Sequence, residues 1–450
     1  MKELLTLADW ISNKPRVWTS EQLDLIAHEL EDTVAAIFAG SSDPLLEVVL
    51  SVSNPGNCTL IGRVEKVSIS DAALCNGFAG HVRELDEMYI AGLGHFGCVV
   101  VPAVFALAQT RQLAVYDVLD ALLVGAEVMG RFGLALDRPH VAQGWHGTAT
   151  IGVFAAAAAC ARLLKVTPEV SAQALVLSAS MCCGMVSQFG SPAKPLQAGL
   201  AAKSGCTAAL LAAAGMTGNL DALVAKNGFS QLYSQQRTPK WEALASHSET
   251  LLIQEHGLVF KAYPNCMSAH RCIDAFKTIR KNNDFDWRDI QSIEARVGQV
   301  NLVNLRFDRP NSIQQAQFSM HFALSCVALF GTVSLEHFND GMLQNEQVQL
   351  LLPKITIANN RDAQDATQDT IESIRPHRVT VTLNNGAVFS ETVQYAKGDS
   401  RFNPFTLSER DAKLYQCFGS FPTAKVELIK SICRSGWEQP INSLAAHLTP

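Results

Sequence analysis

The run Gly147-Thr148-Ala149-Thr150-Ile151-Gly152-Val153-Phe154-Ala155-Ala156-Ala157-Ala158-Ala159-Cys160-Ala161-Arg162-Leu163-Leu164 is uncharged until Arg162 and dominated by alanine. Alanine fixes no side-chain rotamers on entering a helix, so such a segment reads as helix. Being apolar all round, it reads as a helix buried on every side, against neighbours that small residues let in close. Three stretches free of Asp, Glu, Lys and Arg, at 88–110, 141–161 and 170–193, are long enough to cross a bilayer. Each holds Gly, Ser, Gln, His or Pro and is rich in alanine rather than leucine, which predicts core helices, not membrane spans. Residues 32–40 show an acidic start and a glycine stop, and 114–131 and 203–214 are helical by the same reasoning.

The texture changes after about residue 260. Ser292-Ile293-Glu294-Ala295-Arg296-Val297 alternates with the period of a strand, as does Arg378-Val379-Thr380-Val381-Thr382-Leu383. The latter runs through Asn384-Asn385-Gly386 into Val388-Phe389-Ser390-Glu391-Thr392-Val393, a hairpin with turn chemistry suited to positive φ. An apolar helix at 319–329 lies between, the polar run 359–370 reads as a surface loop, and 404–435 turns helical again. The predicted fold is mainly α: a large all-helical domain over 1–260, a smaller α+β domain over 261–400, and C-terminal helices over 401–450 that return to the first domain.

The chain has 450 residues, 48% of them hydrophobic and 17% charged, with a net charge of −6. That balance gives no electrostatic reason for nucleic acid or an anionic membrane as partner. The N-terminus has two acids in its first ten residues and lacks a signal-peptide pattern, so cytoplasmic residence and reduced thiols are expected for the twelve cysteines. There is no C-x-x-C, and Cys266, His270 and Cys272 lack a second ligand pair at zinc spacing, so no metal is expected. Phosphate-loop, nucleophile-elbow and zincin motifs are absent. One G-x-G-x-x-G occurs at Gly92, Gly94 and Gly97, but no βαβ pattern surrounds it, which argues against a dinucleotide.

Four polar islands interrupt these apolar surroundings, where a charge must be paired or functional. The first is His81-Val82-Arg83-Glu84-Leu85-Asp86-Glu87-Met88, followed by His95; three acids buried together would raise one another's pKa, whereas a solvated helix end is the plain alternative. The second is Gly144-Trp145-His146, where a helix N-terminus would keep an imidazole neutral, though a packing histidine fits as well. In the third, Lys194 lies between two prolines and suits either a carboxylate or helix carbonyls, while Lys203 reads as an ordinary surface lysine. The fourth, Lys261-Ala262-Tyr263-Pro264-Asn265-Cys266-Met267-Ser268-Ala269-His270, falls at the domain junction, where clefts form but solvated loops also run. His256 and His337 read as structural or exposed.

Together the islands resemble the MmgE/PrpD family, which includes 2-methylcitrate dehydratase, cis-aconitate decarboxylase and iminodisuccinate epimerase. The likeness rests on H-x-x-E-L-D-E-M from His81, His95 before V-x-P-A, G-W-H at 144–146, A-K-P-L-Q-A-G-x-A-A-K at 193–203, K-x-Y-P with His270, and Ala316-Gln317-Phe318-Ser319. The resemblance implies a helical domain built from both chain ends, an inserted α+β domain, a homodimer, and neither metal nor organic cofactor. Carried over, it makes Glu84, Asp86, His95, His146, Lys194 and His270 catalytic, and places Lys194, Lys261, Met88 and Gln317 against substrate. Glu84 stands where aspartate is usual, Met88 where threonine is usual, and Phe96-Gly97 follows His95 in place of Pro-Ser. The E-L-D-E block also looks like the version in fungal-type cis-aconitate decarboxylases. The implied activity is a cofactor-independent lyase moving a proton α to a carboxylate of a small di- or tricarboxylate, a cis-aconitate decarboxylase or 2-methylcitrate dehydratase in type. An epimerase of an imino- or amino-dicarboxylate is the alternative, and a non-catalytic carboxylate-binding protein a third reading.

Overall fold

The computed structural model describes residues 2–234, 238–246, 248–360 and 376–450. At its centre the Gly152–Leu164 helix packs on the helices Gly97–Arg111, Val115–Ala142 and Ala193–Ala213. Ala155, Ala156, Ala157, Ala158, Ala159 and Cys160 are fully buried, as the absence of any polar face requires. The apolar window 147–164 is 94% buried inside protein. The other two charge-free stretches are helical only in part: Met88–Phe96 and Ser180–Pro192 are mainly turns and short bridges, because both carry the glycines and polar residues that end helices.

Two sequence expectations need correction. The helix read from Asp32 begins twelve residues earlier, at Ser20, where Thr19 and Gln22 form a capping box; Asp32 lies in its buried interior. The first 260 residues are not wholly helical, since strands β1 (Pro55–Thr59) and β2 (Lys66–Val67) pair antiparallel. A strand opening on Pro-Gly-Asn offers no alternation to read.

Four more strands, β3 (Ile290–Val297), β4 (Ile355–Asn359), β5 (His377–Leu383) and β6 (Val388–Val393), form one sheet in the order β4-β3-β5-β6. Ile293 lies opposite Ile355 on one side and Val381 on the other, so their apolar faces share a register. The helices His270–Asn282 and Met320–Phe330 cover that face and complete a second core. Gly386, at φ 85°, supplies the positive φ of the β5–β6 turn. β4 pairs parallel to β3 and was not foreseen. Of the surface loop read at 359–370, Asn359 ends β4 and 361–370 lie outside the described residues.

The helices Leu407–Phe418, Thr423–Arg434 and Ile441–His447 bury Leu414, Phe418, Val426, Ile429 and Leu444 in the first core. Ion pairs fasten them there: Glu31 meets Arg410 and Arg434, each at 2.7 Å, and Asp32 meets Lys413 at 2.6 Å. Lys413 also donates to the carbonyl of Leu85 at 3.0 Å, and so holds the backbone between Glu84 and Asp86. All twelve cysteines are free thiols.

Candidate active site

The segment after the Ile69–Val82 helix cannot continue as helix, because Glu84 takes φ 52°. A non-glycine residue in that region carries about 1–3 kcal/mol of strain and persists only where contacts over-determine it. Here they are ionic. Glu84 Oε2 accepts from Lys261 Nζ at 2.9 Å, and Oε1 accepts from Lys194 Nζ. Asp86 Oδ1 lies 3.6 Å from Lys261, and Asp86 Oδ2 accepts from His81 Nδ1 at 2.6 Å. Lys194, in the first turn of the Ala193–Ala213 helix, also donates to His81 Nε2 at 2.5 Å, with the rings of Phe189 and Phe318 each 5.2 Å away. His81 is therefore the neutral Nδ1–H tautomer, consistent with burial and Lys194 outweighing Asp86 and lowering its pKa to about 4.

Two more histidines have the same polarity. His95 Nδ1 donates to the Glu87 carbonyl at 2.5 Å and lies 3.2 Å from Asp86. His146 Nδ1 donates to Gln197 Oε1 at 2.7 Å, leaving Nε2 buried without a partner among the described residues. In both rings Nε2 is left to accept a proton or return it. The rings of His95 and His146 lie 4.7 Å and 5.9 Å from that of His81. Burial first, then Lys194, pushes the His146 pKa far down. The neutral imidazole read from sequence is present, but the helix that follows has only four residues, and its dipole is not the cause.

The expectation that the acids raise one another fails at Glu84 and Asp86. Burial does raise both, but Lys194 and Lys261 at Glu84, and His81, His95 and Lys261 at Asp86, overcome it and hold both below the ordinary carboxylate range. Glu87 does behave as expected, raised by burial and by Asp86.

Of the other residues singled out, His270 opens the His270–Asn282 helix and donates Nε2–H to the Asn265 carbonyl at 3.2 Å. Its pKa falls to about 3 through burial and Lys261, and its Nδ1 has no partner. The side-chain amide of Gln317 donates to Val82 O at 2.9 Å and its main-chain carbonyl accepts from Cys266 N at 2.8 Å, bracing the Glu84 turn from the second core. Met88 is half-buried and contributes a backbone pairing with Val259. Lys203 pairs with Asp71 at 2.7 Å. His256 and His337 stand apart from the cluster.

Sequence reasoning did not place His81, Gln197, Phe189 or Asn265 in the site, although all lie within or beside the polar islands. Asn265 is fully buried, and neither of its side-chain polar atoms has a hydrogen-bond partner among the described residues. Ligand atoms of His81, Asp86 and His95 come within 4.8 Å of one another. They do not suit a cation, because Lys194 already occupies His81 Nε2 and Lys261 flanks Asp86, setting two ammonium groups against any added positive charge. Gly92, Gly94 and Gly97 serve packing: a side chain at Gly94 or Gly97 would collide with Thr148 or with Thr33 and Glu29.

Residues 6–242 match the MmgE/PrpD N-terminal domain and residues 263–439 the MmgE/PrpD C-terminal domain. Among curated proteins the chain is similar to the cis-aconitate decarboxylase of Homo sapiens, 26% identical over 381 residues, covering 80% of this chain and 76% of that one. Cis-aconitate decarboxylase of Aspergillus terreus is 26% identical over 411 residues, 84% of this chain and 82% of its own. The cis-aconitate decarboxylase-like protein oryM of Aspergillus oryzae is 26% identical over 423 residues, 87% and 86%. With both halves of the chain matched in order around the lysine–carboxylate–histidine cluster, the chain belongs to the MmgE/PrpD family.

Proposed function

We propose that this chain is a lyase that releases carbon dioxide from a cis-aconitate-like tricarboxylate and returns a proton to carbon. The observation that carries the reading is the buried set of two ammonium groups beside histidines whose Nδ1–H is fixed and whose Nε2 is free. Lys194 and Lys261 share the Glu84 carboxylate, which supports a role for them in holding a substrate carboxylate.

In such a substrate the bond to the leaving carboxylate breaks and its electron pair forms a new double bond. The old double bond's pair moves to the carbon α to a retained carboxylate. The lysines stabilise the charge built up on that carboxylate, and Nε2 of His95 or His146 takes up a proton from solvent and passes it to the α-carbon. The names of the curated relatives favour the decarboxylase over the dehydratase. The test is carbon dioxide release from cis-aconitate, with 2-methylcitrate as comparator. Release from the first supports the reading, and water loss from the second alone replaces it with the dehydratase.

A further inference from the structure

Beside His95 lies a second pair of acids that the chemistry above does not use. Glu29, from the interior of the Ser20–Gly40 helix, and Glu87 are both fully buried. A side chain at Gly97 would meet Glu29 Oε1 and Thr33 Oγ1 and come within 2.8 Å of Glu87 Oε2, so both carboxyls crowd one face of that glycine. Each carboxyl has a buried Oε2 with no hydrogen-bond partner among the described residues. Two buried carboxyls crowded together in this way are accommodated when one of them carries a proton that the other accepts.

The remaining hydrogen bonds say which residue carries it. Glu87 Oε1 accepts from Phe96 N at 2.5 Å and Gly97 N at 3.1 Å, the bonding of a carboxylate at the opening of the Gly97–Arg111 helix. Among the described residues Glu29 accepts only the Thr33 hydroxyl, at 2.7 Å. We propose that Glu29 holds a proton and donates it to the Glu87 carboxylate, and that this pair is a positioning device for His95. Glu87 grips His95 from both sides, its carbonyl taking the ring Nδ1–H and its carboxylate the two amides that follow His95 in the chain.

The groups around the pair favour one shared proton. Asp32 lies beside Glu29 on its own helix and is neutralised by Lys413 of the Leu407–Phe418 helix; Asp86 and His95 flank Glu87; Cys98 faces it from the Gly97–Arg111 helix. Burial, together with Glu87 and Asp32, pushes the Glu29 carboxyl well up. Loss of the proton at high pH would leave two buried carboxylates in contact and release the grip on His95.

The test compares Glu29→Gln, Glu29→Ala and the unmodified chain. Its first readout, the infrared spectrum in water and heavy water, does not depend on the proposed reaction. A protonated-carboxyl band present in the unmodified chain and missing from Glu29→Gln is expected; its presence in both, or its absence from the unmodified chain, overturns the proposal. The second readout, which rests on the proposed function, is the pH profile of cis-aconitate turnover. Glu29→Ala should lose about tenfold or more in kcat through misplacement of His95. Glu29→Gln, whose amide donates at every pH, should recover most of that loss and move the alkaline fall of kcat upward. Coincident profiles for Glu29→Gln and the unmodified chain, or no loss in Glu29→Ala, would contradict it.

Discussion

Lys261 Nζ and Glu84 Oε2, 177 residues apart in the chain, meet at 2.9 Å with both side chains buried. The lysine begins the segment that enters the second core, while the glutamate sits on the strained turn of the first. One ion pair therefore joins the two hydrophobic cores at the site itself, and removing Lys261 leaves the buried Glu84 and Asp86 carboxylates with Lys194 and His81 as their remaining partners. Lys261→Met should destabilise the fold by about 3–5 kcal/mol, measured by denaturant titration, and adding Glu84→Gln should recover part of that loss.

His146→Ala and Lys194→Ala should each lower turnover by roughly tenfold to a thousandfold, the usual range for losing one acid–base or electrostatic group. Gln197→Leu should lower it in the same direction, because Gln197 fixes the His146 tautomer. Steady-state kinetics on cis-aconitate checks all three, and unchanged turnover in His146→Ala and Lys194→Ala together would overturn their assignment.

Stability should fall steadily on acidification below about pH 6.5, the ordinary histidine value. His81 and His270 titrate at about 4 and about 3 in the folded chain, so between those values and the unfolded pKa the unfolded state binds more protons. Their contribution is complete above the unfolded pKa and lost as pH falls toward the folded one. Glu84 and Asp86 act in the same direction at lower pH, since their folded values are depressed. Thermal melts from pH 8 to pH 4 measure the slope, and His270→Gln should flatten it.

Lys413→Ala should loosen the Glu84–Asp86 turn without touching substrate. It removes the cation from buried Asp32 and the donor from Leu85 O, so about 3 kcal/mol of stability should go with it. Hydrogen exchange at residues 84–88 should quicken more than in the second core.

The helices were legible in the sequence because their apolar pattern is local, and β3, β5 and β6 because alternation is local too. β4 has the short alternating run Ile355-Thr356-Ile357, but its partner lies 62 residues earlier in a parallel register no turn announces. The polar islands flagged His95, His146, Lys194, Lys261 and His270, which the chain folding brings to one region. Their charge states were not legible: Glu84 looks like one acid among three until Lys194 and Lys261 arrive from elsewhere in the chain. Gln317 and Met88 stood in matching motifs, yet the backbone takes the amide of one and pairs with the other. Glu29 carried no signal, since an acid inside an amphipathic helix is ordinarily solvated.

Proton NMR of the purified chain with cis-aconitate in heavy water tests directly whether the cluster releases carbon dioxide and protonates carbon. A new vinyl signal should appear, with one deuterium at the former double-bond carbon and carbon dioxide released. Deuterium exchange without carbon dioxide would contradict this in favour of an epimerase, and an unchanged spectrum would withdraw the substrate.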